Sequence, residues 1–252
     1  MKKVSSIISI LILLFLLSAC AKKQYAVKSV NGYLVEMNSR FDNHPNPEMA
    51  NLVQKYKSQL DSKMSEVVGE ADQDLMKVGT QSVLTNFTTD AMLEYATNLW
   101  GKVDFALINN GGLRSTLNRG NVTVEDLYEI YAFENRLVLL DLPGTAVKQL
   151  FEGFTKRKIE GFSKGVRLII KGKAIESLTI GGKPIDEKAT YKVVTVDYLA
   201  EGNDGMEALT QATHYTDSNI ILRDAMIEYV KKLTAENKKI HAIPDDRIEV
   251  KE

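Results

Sequence analysis

Cysteine and histidine are scarce in this 252-residue chain, which has one cysteine, Cys20, and three histidines, His44, His214 and His241. A single cysteine excludes any disulfide within the chain. The histidines lie far apart in polar segments and read as solvated loop residues, with none expected in H-x-E, H-E-x-x-H or D-x-H spacing, so no metal site and no cofactor is expected in this chain. A serine nucleophile elbow with its base and oxyanion hole is not expected either, which leaves no catalytic residue to name. Lysine and arginine (32) balance aspartate and glutamate (33) to a formal net charge of -1. Without a basic excess, nucleic acid is not expected as a partner.

Long apolar runs are absent too. The run at residues 7–17 is too short to cross a bilayer as a helix, but Lys2 and Lys3 precede it and Leu17-Ser18-Ala19-Cys20 ends it. That order suits an export signal, and the four-residue box resembles a bacterial lipoprotein cleavage site, where the cysteine becomes the lipid-modified first residue. Residues 1–20 are therefore expected to be a signal peptide, and Cys20 the lipid anchor to a membrane of the bacterial cell envelope. Ala21, in place of aspartate, favours the outer membrane where a cell has two.

With 44% hydrophobic residues, the remainder can bury a substantial core. Residues 21–63 read as an extension: two β-rich runs around Asn31-Gly32 predict a hairpin over 25–37, and a helix starting near Pro47 runs to about residue 64. Residues 64–252 read as one domain. It opens with a short strand over 65–71 and a helix over 83–100, whose Val83, Leu84, Phe87, Ala91, Met92, Tyr95, Ala96, Leu99 and Trp100 share one stripe. A strand over 103–108 runs into the turn Asn109-Asn110-Gly111-Gly112, where positive φ is expected, and then Arg114. Thr123 and Asp126 form a capping-box pattern before a helix over 124–131.

A strand over 137–142 turns at Pro143-Gly144-Thr145 into a helix carrying Val147, Leu150, Phe151 and Phe154. Three β runs, 166–170, 175–180 and 191–196, read as a meander of hairpins. A loop over 201–205, a helix over 219–233 and a strand over 247–250 complete the chain. The fold class is α+β, a mixed sheet with helices packed on it.

Binding chemistry is better supplied than catalysis. Arg114 follows a tight turn and offers a planar, permanently charged fork to a phosphate or to sugar hydroxyls. Phe133 follows a helix end, Tyr198 follows an apolar strand, and Asp204-Gly205 reads as a turn.

Four segments in order, N-F-T-T-D-A-M-L (86–93), A-L-I-N-N-G-G-L-R (106–114), D-L-Y-E-I-Y-A-F-E-N (126–135) and T-Y-K-V-V-T-V-D-Y-L-A-E-G-N-D-G (190–205), resemble the C-terminal domain of the 5′-nucleotidase family. The resemblance covers roughly residues 64–240. It implies a nucleotide-recognition domain in which Phe133 and Tyr198 stack on the base while Asn109, Arg114 and Asp204 hold sugar and phosphate. Stacking of this kind contributes on the order of 1–3 kcal/mol per base.

Asn110 stands where that family has glycine and Tyr198 where it has phenylalanine. The arginine that often precedes its helix-start motif is missing from residues 78–82. The family's two-metal phosphoesterase centre belongs to another domain and has no counterpart here. The resemblance therefore implies a recognition domain, binding a nucleotide or nucleoside, that works with a metallophosphoesterase on a separate chain holding the divalent metals. A 5′-nucleotidase in its own right and a non-catalytic envelope scaffold are the alternatives.

Overall fold

The computed structural model describes residues 25–42, 46–77, 82–157, 161–245 and 247–251. The signal segment with Cys20, His44, and the 78–81 part of the arginine-less segment lie outside the described residues. The chain divides into two units, residues 1–52 and 53–252.

In the first unit the hairpin expected over 25–37 does not form. Residues 25–38 have no regular structure, and Tyr25, Val27, Val30, Tyr33 and Leu34 are exposed. A two-stranded ribbon with no third strand or helix to cover its apolar face is marginal in water, whatever its turn residues favour. Helix α1 (Pro47–Met64) begins as expected: Asn46 Oδ1 accepts the amides of Glu48 at 3.0 Å and Met49 at 3.2 Å. Proline suits the position after such a cap, because its missing N–H would have no partner in the helix.

The second unit is α+β. Strand β1 (Val67–Ala71) is followed by α2 (Val83–Trp100), β2 (Phe105–Ile108), β3 (Gly120–Thr123), α3 (Val124–Ile130), β4 (Arg136–Pro143) and α4 (Gly144–Arg157). Then come β5 (Gly161–Phe162), β6 (Val166–Lys171), β7 (Ala174–Ile180), β8 (Lys183–Pro184), β9 (Thr190–Val196), α5 (Asp197–Ala200), β10 (His214–Ile221), α6 (Leu222–Ala235) and β11 (Ile248–Lys251). Among the described residues these strands form three sheets: β1 with β3, a five-stranded sheet in the order β10-β4-β9-β2-β5, and a four-stranded sheet in the order β11-β6-β7-β8. No helix among the described residues is long and apolar enough to cross a membrane.

Two expectations change here. The run 191–196 leaves the meander and lies between β4 and β2 as β9, antiparallel to the first and parallel to the second. Val193, Val194, Thr195 and Val196 are all buried, so both faces of the run are covered, which suits a central strand. Residues 219–221, expected in the last helix, end β10 instead, and α6 starts at Leu222. Asn219 has φ 58°, which breaks the helical path at that point.

The core joins α4 to the central sheet through Phe105, Phe151, Phe154 and Phe162. Phe151 stands 4.8 Å from Phe162, 5.6 Å from Phe154 and 5.8 Å from Phe105 by ring centroids. Helix α2 buries Leu84, Phe87, Ala91, Met92 and Ala96 from the expected stripe, whereas Leu99 stays exposed. The expected capping box of α3 is present, with Asp126 Oδ2 accepting the Thr123 amide at 2.7 Å and Thr123 Oγ1 accepting the Asp126 amide at 3.2 Å.

Candidate functional site

The register of the central sheet brings three chain segments to one edge. Phe105 and Ala106 of β2 pair with Val193 and Val194 of parallel β9, and Leu137 of antiparallel β4 pairs with Val196. The C-terminal ends of β2 and β9 and the N-terminal end of β4 therefore coincide. Beyond carboxyl ends of this kind the chain diverges into loops and leaves a crevice. Asn109 leaves β2, Tyr198 leaves β9 on α5, and Phe133 lies just before β4.

These segments line one pocket of about 330 Å³, near the lower end of the range of roughly 300–1,000 Å³ for small-molecule sites. All five residues singled out from the sequence, Asn109, Arg114, Phe133, Tyr198 and Asp204, are in its wall, with Gly111, Gly112 and Asn135. Asn135 was not among the sequence candidates. Its signal was position: it lies two residues after Phe133 and directly before β4.

Asp204 organises the polar side. Its Oδ2 accepts from Asn109 Nδ2 at 2.6 Å and its Oδ1 from the Tyr198 hydroxyl at 3.0 Å. The second bond, chiefly, raises the pKa of the Tyr198 phenol above its ordinary value. Asp204 sits at φ 55°, a left-handed conformation that aspartate tolerates better than most residues. Asn203 Nδ2 donates to the Tyr198 carbonyl at 2.7 Å, tying the Asp204 turn back to α5.

On the other side, the Arg114 guanidinium lies 5.7 Å from the centre of the Phe133 ring, and its Nη1 donates to the Gly111 carbonyl at 3.2 Å. Among the described residues no carboxylate stands within ion-pair distance of it. Phe133 and Tyr198 are 48% and 40% exposed, unlike the phenylalanines of the core, so each offers ring surface to a ligand. The wall combines flat apolar faces, a cation available to an anion, and a fixed carboxylate.

The turn after β2 differs from expectation in its reason for glycine. None of Asn109, Asn110, Gly111 or Gly112 has positive φ; residues 110–112 form a 3₁₀ turn. A Cβ on Gly112 would lie 2.5 Å from Asn109 Oδ1, so the missing side chain makes room for the Asn109 amide. Gly112→Ala is expected to turn Asn109 away from Asp204 and to weaken ligand binding about tenfold, with a melting temperature within a few degrees of the parent. Titration calorimetry beside a thermal melt measures both.

Two catalytic patterns occur in the sequence against expectation. Gly161-Phe162-Ser163-Lys164-Gly165 has the G-x-S-x-G form, but Ser163 is fully buried and its Oγ accepts the Ala106 amide at 2.9 Å. It follows a two-residue strand and leads to β6, not to a helix, so it is a sheet-edge residue and not a nucleophile elbow. Asp42 and His44 stand in D-x-H spacing, and His44 lies outside the described residues. Among the described residues no group of three or more His, Cys, Asp or Glu is placed to hold a metal ion. His214 is an exposed residue of β10, not of a loop, and His241 Nδ1 lies 2.9 Å from Asp72 Oδ1.

A larger cleft, of about 870 Å³, lies along α4 and β7. Lys148, Lys156, Lys173, Glu152 and Glu187 are in its wall, with no aromatic ring among the described residues. The smaller pocket is chemically the more specific.

An α+β domain with a pocket of aromatic and polar side chains at coincident strand ends is the class that fold and site define. Residues 67–211 match the 5′-nucleotidase, C-terminal domain, and the chain belongs to that family. It is 29% identical to Protein UshA of Yersinia enterocolitica over 195 residues, 74% of this chain and 34% of that protein. With a probable 5′-nucleotidase of Treponema pallidum it shares 26% identity over 234 residues, 81% of this chain and 39% of the relative. The chain thus spans between a third and two fifths of these relatives. Among solved structures, the 5′-nucleotidase precursor from Thermus thermophilus superposes with a TM-score of 0.69 at 27% identity, covering 82% of this chain and 44% of that one.

Proposed function

We propose that this chain recognises a nucleotide or nucleoside and supplies that recognition to a metallophosphoesterase on a separate chain, in the dephosphorylation of nucleotides outside the cytoplasm. The observation that carries the reading is the convergence of Phe133, Tyr198, Arg114, Asn109 and Asp204 on one pocket. Two exposed rings accept a base, the Arg114 fork suits a phosphate, and Asp204 accepts hydrogen bonds from ribose hydroxyls or a base amine. Relatives described as 5′-nucleotidases support the substrate class. The divalent metals and the attacking water belong, in this reading, to the partner chain, and a lipid on Cys20 holds this chain at the envelope membrane.

Calorimetric titration with AMP and adenosine tests the ligand. Saturable binding is expected, and Phe133→Ala or Tyr198→Ala should each weaken it by about 1–3 kcal/mol, roughly five- to 150-fold. No heat from either ligand at millimolar concentration would overturn the recognition reading. Phosphate release from AMP by this chain alone, with added Mg²⁺ or Zn²⁺ and free of co-purified phosphatase, would overturn the two-chain arrangement.

A further inference from the structure

We propose that Arg223 is a positioning residue, which grips the backbone of residues 131–135 from beneath and so sets the placement of Phe133 and Asn135 in the pocket. The proposal deepens, and rests on, the reading of that pocket as a nucleotide or nucleoside site. Arg223 is the second residue of α6 and only 6% exposed. Its Nη1 donates to the Tyr131 carbonyl at 3.3 Å, and its guanidinium lies over the Tyr128 ring at 4.0 Å. The residue before it, Leu222, donates its amide to the Asn135 carbonyl at 2.8 Å. Two consecutive residues at the start of one helix thus hold both ends of a five-residue loop whose third residue is Phe133 and whose fifth is Asn135.

The environment of Arg223 argues for a role beyond filling space. A buried guanidinium is costly unless it is paired and hydrogen-bonded. Among the described residues the nearest carboxylate, that of Glu134, is 3.9 Å away on an 80% exposed side chain, and the buried Nε has no acceptor. A positive charge in the first turn of a helix also opposes the helix dipole. An apolar side chain of similar length would fill this volume without those costs. What it would lack is the donor to Tyr131.

The loop is held from its other side as well. The Tyr131 hydroxyl bonds Thr88 of α2 at 2.9 Å, and the Arg114 amide donates to the Ile130 carbonyl at 2.9 Å. Burial raises the pKa of the Tyr131 phenol, which keeps it neutral and bonded. Arg223 therefore completes a frame in which α2 and α6 fix the backbone and leave the Phe133 ring and the Asn135 side chain to the pocket.

Arg223→Met and Arg223→Lys test this with two readouts on the full chain. In the ligand-free protein, Arg223→Met should speed amide hydrogen exchange at Leu222, which bonds the loop's last residue, and at Arg114, which bonds Ile130 just before its first, while amides of β4 and β9 keep their protection. Arg223→Lys should restore part of it. In titrations, Arg223→Met should weaken adenosine about tenfold and ribose 5-phosphate by a smaller factor, because Asp204 stands on another segment while Arg114 touches the loop only through its amide and the Phe133 ring. Unchanged exchange, or protection lost evenly across the domain, would overturn the proposal, as would equal losses for both ligands. Wild-type protein that binds neither ligand would overturn the reading of the pocket, with the exchange data still deciding the part played by Arg223.

Discussion

Asp204→Ala is expected to weaken adenosine or AMP by about 2 kcal/mol, roughly thirtyfold, since a hydrogen bond to a charged group contributes about 1.5–3 kcal/mol and the losses at one carboxylate are not additive. The substitution removes the acceptor of both Asn109 Nδ2 and the Tyr198 hydroxyl. Asn109 is 6% exposed, so its amide cannot turn to water without moving the 110–112 turn that ends near Arg114. Alanine also tolerates φ 55° less well than aspartate, which loosens the turn further. Asp204→Asn keeps the shape and the left-handed tolerance but presents one donor and one acceptor, and should fall between the two. Calorimetry on the three proteins measures the series; an Asp204→Ala protein with parental affinity would show that Asp204 only shapes the loop.

Phe151→Ala should carry the largest stability cost, about 3–5 kcal/mol, the range for removing a buried phenylalanine. Phe151 is fully buried and meets Phe105, Phe154 and Phe162, so the void would open where α4, β2 and β5 meet. Total stabilities of about 5–15 kcal/mol make that a large fraction, and a domain near 200 residues should lose roughly 10 °C or more in melting temperature. Phe151→Leu keeps most of the volume and should cost roughly 1–2 kcal/mol. Since Asn109 directly follows β2, the alanine variant should also bind ligand less tightly, whereas the leucine variant should not. Chemical denaturation with calorimetry separates the two effects.

Much of the local structure was legible in the sequence because its signals are local. Leu84, Phe87, Ala91 and Ala96 repeat at the helical period, Thr123 and Asp126 stand three apart as a capping box requires, and residues 105–108 form an unbroken apolar run. Strands β3, β5, β8 and β10 are not legible in the sequence because they are short or polar. His214, Asp217, Ser218 and Asn219 carry little of the β pattern, and β10 exists because β4 offers it a ladder. The hairpin over 25–37 failed in the opposite sense, with good turn residues and no surface to cover.

The same division runs through the site. Asn109, Arg114, Phe133, Tyr198 and Asp204 could be picked out in sequence, since a turn, a cation and aromatic residues in motif order are features of short stretches. Their meeting could not be read from any stretch, because it depends on β9 lying parallel to β2 and antiparallel to β4, with the register that aligns Ala106, Val194 and Leu139. Such pairing is a property of the whole sheet, chosen by which strands can be buried on both faces, and no residue near Tyr198 encodes it. The reason Gly112 must be glycine, the place of Asn135 and the grip of Arg223 on the Phe133 loop are of the same kind. Sequence determined the elements and the chemistry they carry; packing determined which of those chemistries share a pocket.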